Sequence, residues 1–347
     1  KRVRNMSRIN LTKRYFTPGK LLDEHPLISE TGVSKKDAER NFAEFEEYER
    51  KNYSTRPLQC LCGHEDSYKI SEVDREGYVF PLVICNSCGL IRAQDYWKDE
   101  FIEDYYENRY RQKYEGGIKP TEENLSKFFE AQAEHSKEIY EFVKDFITQL
   151  PKSFETFDIG GGAGGVLKSF EGISNCTLID FNKDFLKFAS KKGLNTFEGG
   201  IEELDKVGTQ PDLVILSHVI EHIPDLNNAL RALKENLKFG SFVYIEVPSI
   251  DVLNHGGYYH DFLRQIHKPH CYYFSVGVLN NLMKRHGFDV VSVNHKLAGL
   301  YQFNNNEEDL RNYHDEVVSL IKKAEIKRQF KILYFNYFIA KVKKLFS

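Results

Sequence analysis

The spacing of apolar residues changes its period near residue 150. Before that point, "SKKDAERNFAEFEEYERK" places Phe42, Phe45 and Tyr48 at helical intervals behind Ser34, a good N-cap residue, and predicts one helix in a polar arm ending near residue 56. A β-like interlude, "GYVFPLVIC", and an aromatic-rich run, "YWKDEFIEDYYENRYRQKY", come next. "TEENLSKFFEAQAEHSKEIYEFVKDFITQL" then reads as a long amphipathic helix stopped by Pro151. Beyond it, short apolar runs alternate with helical segments: "FETFDIGG", "CTLID", "LNTFEG", "PDLVILS" and "SFVYIEVP". Such alternation predicts βαβ units and a parallel sheet covered on both faces. The fifth run is followed, further on, by "VGVLNNLMKRHGFDVVSVNHK": a helix, a Gly287-Phe288 turn and an alternating strand.

Composition narrows the class. The chain has 347 residues, 14% of them aromatic, which is ample material for a core without covalent staples. A formal net charge of −3 with 29% charged residues marks it globally as neither a nucleic-acid binder nor a membrane protein. No stretch approaches the ~18 consecutive apolar residues of a membrane span, and "KRVRNMSRIN" lacks the apolar run of a secretory signal. The expected location is the cytoplasm.

Four of the six cysteines form two close pairs, Cys60 with Cys62 and Cys85 with Cys88. Pairs of this kind, separated by roughly twenty residues, offer four thiolates to a tetrahedral Zn²⁺. They predict a structural zinc ribbon, with His64 as an alternative ligand because the first pair is Cys-x-Cys. A disulfide is the weaker reading in a reducing compartment. Cys176 and Cys271 stand alone and read as buried thiols.

The strongest chemical signal opens the predicted sheet. In "FDIGGGAGG", Asp158 ends a strand, and Gly160, Gly162 and Gly164 leave room for a ligand against the strand-to-helix turn. The next strand ends in Asp180, placed to accept hydrogen bonds from ribose hydroxyls. The glycines alone also fit a dinucleotide fingerprint, so these residues indicate a nucleoside ligand without naming it.

Several segments in order resemble class I S-adenosylmethionine (SAM)-dependent methyltransferases. They are "FDIGGGAGG", "LID", "EGGIEEL", "PDLVILSHVIEHIPDLNNALRALKENLKFGSFVYIEVP" and the closing "GF" strand, together covering residues 125 to 297. The resemblance implies a Rossmann-like α/β domain with a seven-stranded sheet. It further implies that Gly160, Gly162 and Gly164 approach the methionine part of SAM, that Asp158 belongs to the cofactor-binding set and that Asp180 holds the ribose. Phe181 and Ile201 would flank adenine, and Ser217 with His218 would line the methyl-donor end. The preceding "CNSCGLIRAQDYWKDEFIEDYYENRY" is similar to the zinc-bearing lobe of methyltransferases from deoxysugar and surface-polysaccharide pathways. The implied organisation is a helical arm over 1–56, a zinc lobe over 57–115, the methyltransferase domain over 116–297 and a basic helical extension over 298–347.

In the sugar C-methylating branch of that family, a segment close to "IYHEHFSYFS" supplies a histidine base. Here "IHKPHCYYFS" aligns with it without gaps, placing His270 on that base, His267 on the tyrosine and Pro269 on the glutamate. Loss of the carboxylate that would orient the histidine argues for a different acceptor, a sugar hydroxyl, with His270 as first choice for general base. His267, His222 and Glu221 are the other catalytic candidates. C-methylation of a nucleotide-linked keto-sugar remains the alternative. A further alternative starts from "HVIEHIPD", where His218, Glu221 and His222 share one side of a helical turn. With His270 this set resembles the divalent-metal site of O-methyltransferases acting on RNA or small molecules.

Two partner questions remain. An RNA substrate is disfavoured, because the zinc region "CGHEDSYKISEVDREGYVFPLVIC" is acidic where phosphate binding needs clustered Lys and Arg. The tail, "EVVSLIKKAEIKRQFKILYFNYFIAKVKKLFS", is basic with apolar residues at helical spacing. It could lie on an anionic membrane, pack on the catalytic domain or join two copies of the chain.

Overall fold

The structure, a computed structural model, describes residues 34–98, 121–308 and 311–345, together with residues 15, 101, 102 and 105. Most of the predicted amino-terminal arm and of the tyrosine-rich run lies outside the described residues. A helix, Lys35–Asn52, precedes β1 (Thr55–Pro57), β2 (Ser67–Val73), β3 (Val79–Cys85), β4 (Ile91–Ala93) and β5 (Asp95–Trp97). After the helix Glu122–Ile147 come β6 (Phe154–Ile159), β7 (Ser174–Asp180), β8 (Asn195–Glu198), β9 (Leu213–Ser217) and β10 (Phe242–Glu246). The chain closes with β11 (Tyr272–Tyr273), β12 (Phe288–Val293), β13 (Ala298–Phe303) and the helix His314–Leu345. These elements divide into two compact units: Trp97–Val247 with Leu279–Leu310, and Lys1–Tyr96 with Pro248–Val278 and Arg311–Ser347.

The first unit is an α/β fold on a seven-stranded sheet of order β12-β13-β10-β9-β6-β7-β8. The pairs β6–β7, β7–β8, β6–β9 and β9–β10 are parallel, and β13 runs antiparallel between β10 and β12. The predicted five-strand run and closing hairpin are both present. The sheet extends past residue 297, because a hairpin needs both arms and the turn at Asn294 delivers β13, which pairs with β10 from Phe242↔Gln302 to Glu246↔Ala298. Strand order reverses at β6, whose neighbours are β7 on one side and β9 on the other. That reversal opens a crevice at the carboxyl ends of the strands.

The helix Glu122–Ile147 begins at Thr121, whose hydroxyl accepts the Asn124 N–H at 3.2 Å, and buries Ile139, Val143 and Ile147 at four-residue spacing. They pack into one cluster with Phe154, Phe170, Leu178, Ile215 and Tyr244. β9 and β10 are almost continuously apolar, as strands covered on both faces must be, whereas β6 sets Phe154, Phe157 and Ile159 among Glu155, Thr156 and Asp158.

The second unit holds an antiparallel sheet of order β11-β4-β3-β2 and the pair β1-β5. Its terminal helix buries Val317, Val318, Ile321 and Ala324. No described helix is long and apolar enough to cross a membrane.

Phe170 is fully buried in the main cluster with the Tyr140 ring 5.8 Å away. Phe170→Ala should lower stability by about 3–5 kcal/mol, seen as a lower denaturant midpoint at unchanged slope.

Candidate functional site

The crevice of the seven-stranded unit is floored by the glycine loop. Gly160, Gly162 and Gly164 all take left-handed backbone, with φ of 69°, 57° and 84°, which is why side chains are excluded there. The Gly160 N–H donates to Ile179 O at 2.7 Å and the Gly162 N–H to Asp180 Oδ2 at 2.9 Å. Asp180 Oδ1 accepts the Asn182 N–H at 2.7 Å, so the carboxylate at the end of β7 is held from both sides. Asp158 lies beneath the loop with 1% of its surface exposed and no hydrogen-bond partner on either oxygen. Burial, and then the neighbouring Asp180, push its carboxyl up to about 8. Phe181 is 69% exposed beside Gly200, whereas Ile201 is buried at the start of a short 3₁₀ turn.

A second group gathers where β9 and β10 end. Ser217 and Glu246 are cross-strand partners, and Glu246 Oε2 receives Ser217 Oγ at 3.3 Å, Tyr244 Oη at 3.3 Å and His135 Nε2 at 2.7 Å. The Glu246 bond raises the pKa of His135. Burial pushes Glu246 upward, but His135, His218 and Ser217 outweigh it and hold the carboxyl below its usual range. His218 follows at φ 58°, its N–H donating to Glu246 O at 2.8 Å.

The predicted helical face of His218, Glu221 and His222 needs correction. Only Ile220–His222 is helical, a single 3₁₀ turn, and His218 precedes it in left-handed backbone. The two histidines nevertheless converge on buried Glu221, with His218 Nδ1 at 3.4 Å and His222 Nε2 at 3.9 Å from Oε1.

The other unit carries the remaining predicted residues. The sulfurs of Cys60, Cys62, Cys85 and Cys88 all lie within 4.8 Å of one another. The closest pairs are Cys60–Cys62 at 3.4 Å, Cys60–Cys88 at 3.5 Å and Cys62–Cys85 at 3.6 Å. Those separations suit a tetrahedral thiolate site, in which metal–sulfur bonds of about 2.3 Å set the sulfurs just under 4 Å apart. All four cysteines meet, so the set is complete without His64. Cys176 and Cys271 are buried, as expected.

His267 and His270 bracket a tight turn in the same unit. The His270 N–H donates to His267 O at 2.9 Å, and the two rings stand 5.0 Å apart. Tyr273 exchanges hydrogen bonds with the His267 backbone, donating to its O and accepting from its N–H, both at 2.9 Å. Tyr96 Oη donates to Pro269 O at 2.7 Å. His267 is buried and His270 is half-buried.

Residues 129–293 match a family model described as a methyltransferase domain. That segment, just under half of the chain, is similar to methyltransferase domains. It is similar to an O-methyltransferase family protein from Burkholderia thailandensis, at 13% identity and a TM-score of 0.38 over 54% of this chain and 60% of that one. A SAM-dependent methyltransferase from Clostridium acetobutylicum aligns at 14% identity and a TM-score of 0.38, over 48% of this chain and 92% of that one. A SAM-bound amino pentose methyltransferase from Micromonospora echinaspora aligns at 11% identity and 0.37, over 48% and 90%. The chain thus spans less than two thirds of the first of these. No curated protein sequence matches it.

Two features of the glycine loop bear on a cofactor such as SAM. A Cβ at Gly162 would stand 2.8 Å from the Phe128 ring, so the loop packs directly against the helix Glu122–Ile147 and tolerates no side chain there. The orphaned carboxyl of Asp158, pushed up to about 8 by burial, is an unsatisfied polar group directly beneath the loop. Sequence reading missed three residues of this domain: Gln132, which donates to Gly161 O at 2.9 Å and accepts the Gly165 N–H at 3.3 Å, and the His135–Glu246 pair. Phe128, Gln132 and His135 recur at four- and three-residue spacing on one helix row, a signal available in the sequence but subordinate to the apolar pattern.

The His135–Glu246 pair predicts a pH signature. A raised histidine contributes stability fully below its ordinary value of 6.5 and loses it as pH climbs through the folded value. A depressed glutamate contributes above its ordinary 4.5 and loses it as pH falls through the folded value. His135→Ala should therefore cost most stability between pH 4.5 and 6.5 and progressively less above that window, compared by denaturant midpoints at pH 5.5 and 9.

Proposed function

We propose that the protein transfers the methyl group of SAM to a sugar hydroxyl, on a nucleotide sugar or a bacterial surface glycan, with His270 accepting the hydroxyl proton. The observation that carries this reading is the turn 267–270. It presents an imidazole from a backbone pinned by Tyr96 and Tyr273, in the sequence setting where the sugar-modifying relatives keep their base. When bound, SAM supplies an activated methyl on a sulfonium, and displacement from it needs alignment and a proton acceptor more than covalent help. The glycine loop and Asp180 would hold the cofactor, while Ser217 and His218 would border its reactive end. His267 braces the loop through its backbone. Pro269, in place of a glutamate, speaks against C-methylation of a keto-sugar. A metal-assisted O-methylation is the second reading, favoured by the convergence of His218 and His222 on Glu221.

We also propose that the four cysteines hold one structural Zn²⁺. Their sulfurs are preassembled, and Gly63 and Gly89 turn the chain after each pair in left-handed backbone, with φ of 81° and 79°.

Incubation with labelled SAM, a panel of nucleotide sugars and surface glycans, and mass analysis should find a methylated sugar; methylated RNA without methylated sugar would sink the reading. His270→Ala should abolish turnover with S-adenosylhomocysteine affinity nearly unchanged, and normal turnover would remove His270 from its role. Elemental analysis should return about one zinc per chain, lost together with fold in Cys62→Ser. A second divalent ion required for turnover would favour the metal-assisted reading.

A further inference from the structure

The terminal helix carries two apolar stripes on opposite sides. Val317, Ile321 and Ala324 are buried within their own unit, and Arg328 continues that row in a buried bidentate contact with Glu325. Facing away from them, Ile326, Phe330, Leu333 and Tyr334 follow at i, i+4, i+7 and i+8, and are 53%, 69%, 65% and 74% exposed. A solvated helix face is normally polar, so a contiguous exposed stripe of large apolar side chains marks an interaction surface.

Its charge identifies the partner. Lys322 flanks the stripe on one side, Lys327 and Lys331 flank it on the other, and Lys323 falls within it. From Ile321 to Tyr334 the sequence contains one acid, Glu325, and Arg328 consumes its charge. Exposed Tyr259 adds an aromatic ring beside the helix, with Lys331 Nζ 5.0 Å and the Arg264 guanidinium 4.9 Å from its centroid. Two copies of this face would oppose like charges. An anionic lipid surface instead takes the apolar stripe into its acyl boundary, leaves the lysines at the headgroups and suits interfacial tyrosine.

We propose that this outer face of the helix docks the protein on an anionic membrane. The inference is independent of the acceptor, so it stands or falls separately from the proposed sugar methylation. Full-length protein should sediment with vesicles of phosphatidylcholine containing phosphatidylglycerol, and not with phosphatidylcholine alone. Raising salt several-fold should release it, because the lysine attraction is screened. Phe330→Ser/Leu333→Ser should lower the partition coefficient about tenfold or more. Lys322→Glu/Lys323→Glu should do the same by charge, and reads the same surface if the first variant misfolds. Circular dichroism and S-adenosylhomocysteine affinity should match the parent in both variants. The proposal is overturned by absence of binding to the anionic vesicles, or by binding that both variants retain. It is equally overturned by a concentration-dependent dimer in lipid-free buffer that Phe330→Ser/Leu333→Ser abolishes, which would make the face a contact between copies.

Discussion

The glycine loop is built around a very tight approach, the backbone of Gly161 over the carboxyl group of Asp158. A Cβ at position 161 would lie 2.1 Å from Asp158 Oδ2, which no real side chain tolerates. The loop therefore cannot rise away from β6 without uncovering a buried acid, and cannot accept substitution without displacing it. On its other side the loop is clamped by Gln132, which bonds Gly161 O and the Gly165 N–H together. Asp158 and Asp180 thus do different work at one turn. Asp180 satisfies backbone amides and shapes the loop, whereas Asp158 remains buried without such partners. The reversal of strand order at β6 supplies the crevice, and these two acids set its floor.

Glu246 plays the corresponding part at the ends of β9 and β10. One oxygen collects donors from two strands and a helix, which fixes the distance between the carboxyl ends of β9 and β10 and that helix. Left-handed backbone at His218, unfavourable for a residue with a Cβ, is retained because its N–H is bound to Glu246 O in continuation of the β9–β10 pairing. The carboxylate thereby positions His218 through the main chain while holding His135 through the side chain.

Much of this was visible in sequence because it is local. The interior of a buried parallel strand such as Leu213–Ser217 is apolar, and polar residues at or next to its carboxyl end stand out, so Asp158, Asp180 and Ser217 could be located at strand ends without coordinates. What escaped depends on packing between distant segments. Nothing near His135 announces Glu246, 111 residues away. β11 is two residues long and exists only because β4 accepts it, with Tyr272 opposite Arg92. Helical spacing also misled at His218–Glu221–His222, where three- and four-residue intervals are equally compatible with a left-handed step followed by a 3₁₀ turn. Both imidazoles nevertheless end beside Glu221 Oε1, at 3.4 and 3.9 Å, by a route that periodicity does not encode.

The cysteine cluster reaches further than a local staple would. The second knuckle runs directly against the start of the terminal helix: His314 Nδ1 donates to Cys85 O at 3.0 Å, and Asn312 Nδ2 donates to Asn86 O at 3.3 Å. A carbonyl can only accept, so His314 carries its proton on Nδ1. Gly89 comes so close that a Cβ there would meet Tyr313 C at 2.8 Å. A knuckle held by four thiolates has a defined backbone, and that backbone is the seat on which residues 312–314 rest. Whatever fixes the sulfurs therefore fixes where the helix begins, and with it the direction in which Ile326, Phe330, Leu333 and Tyr334 project. The cysteine cluster at one end of this unit and the apolar stripe at the other are linked through a single rigid element, with no need for any residue between them to change conformation.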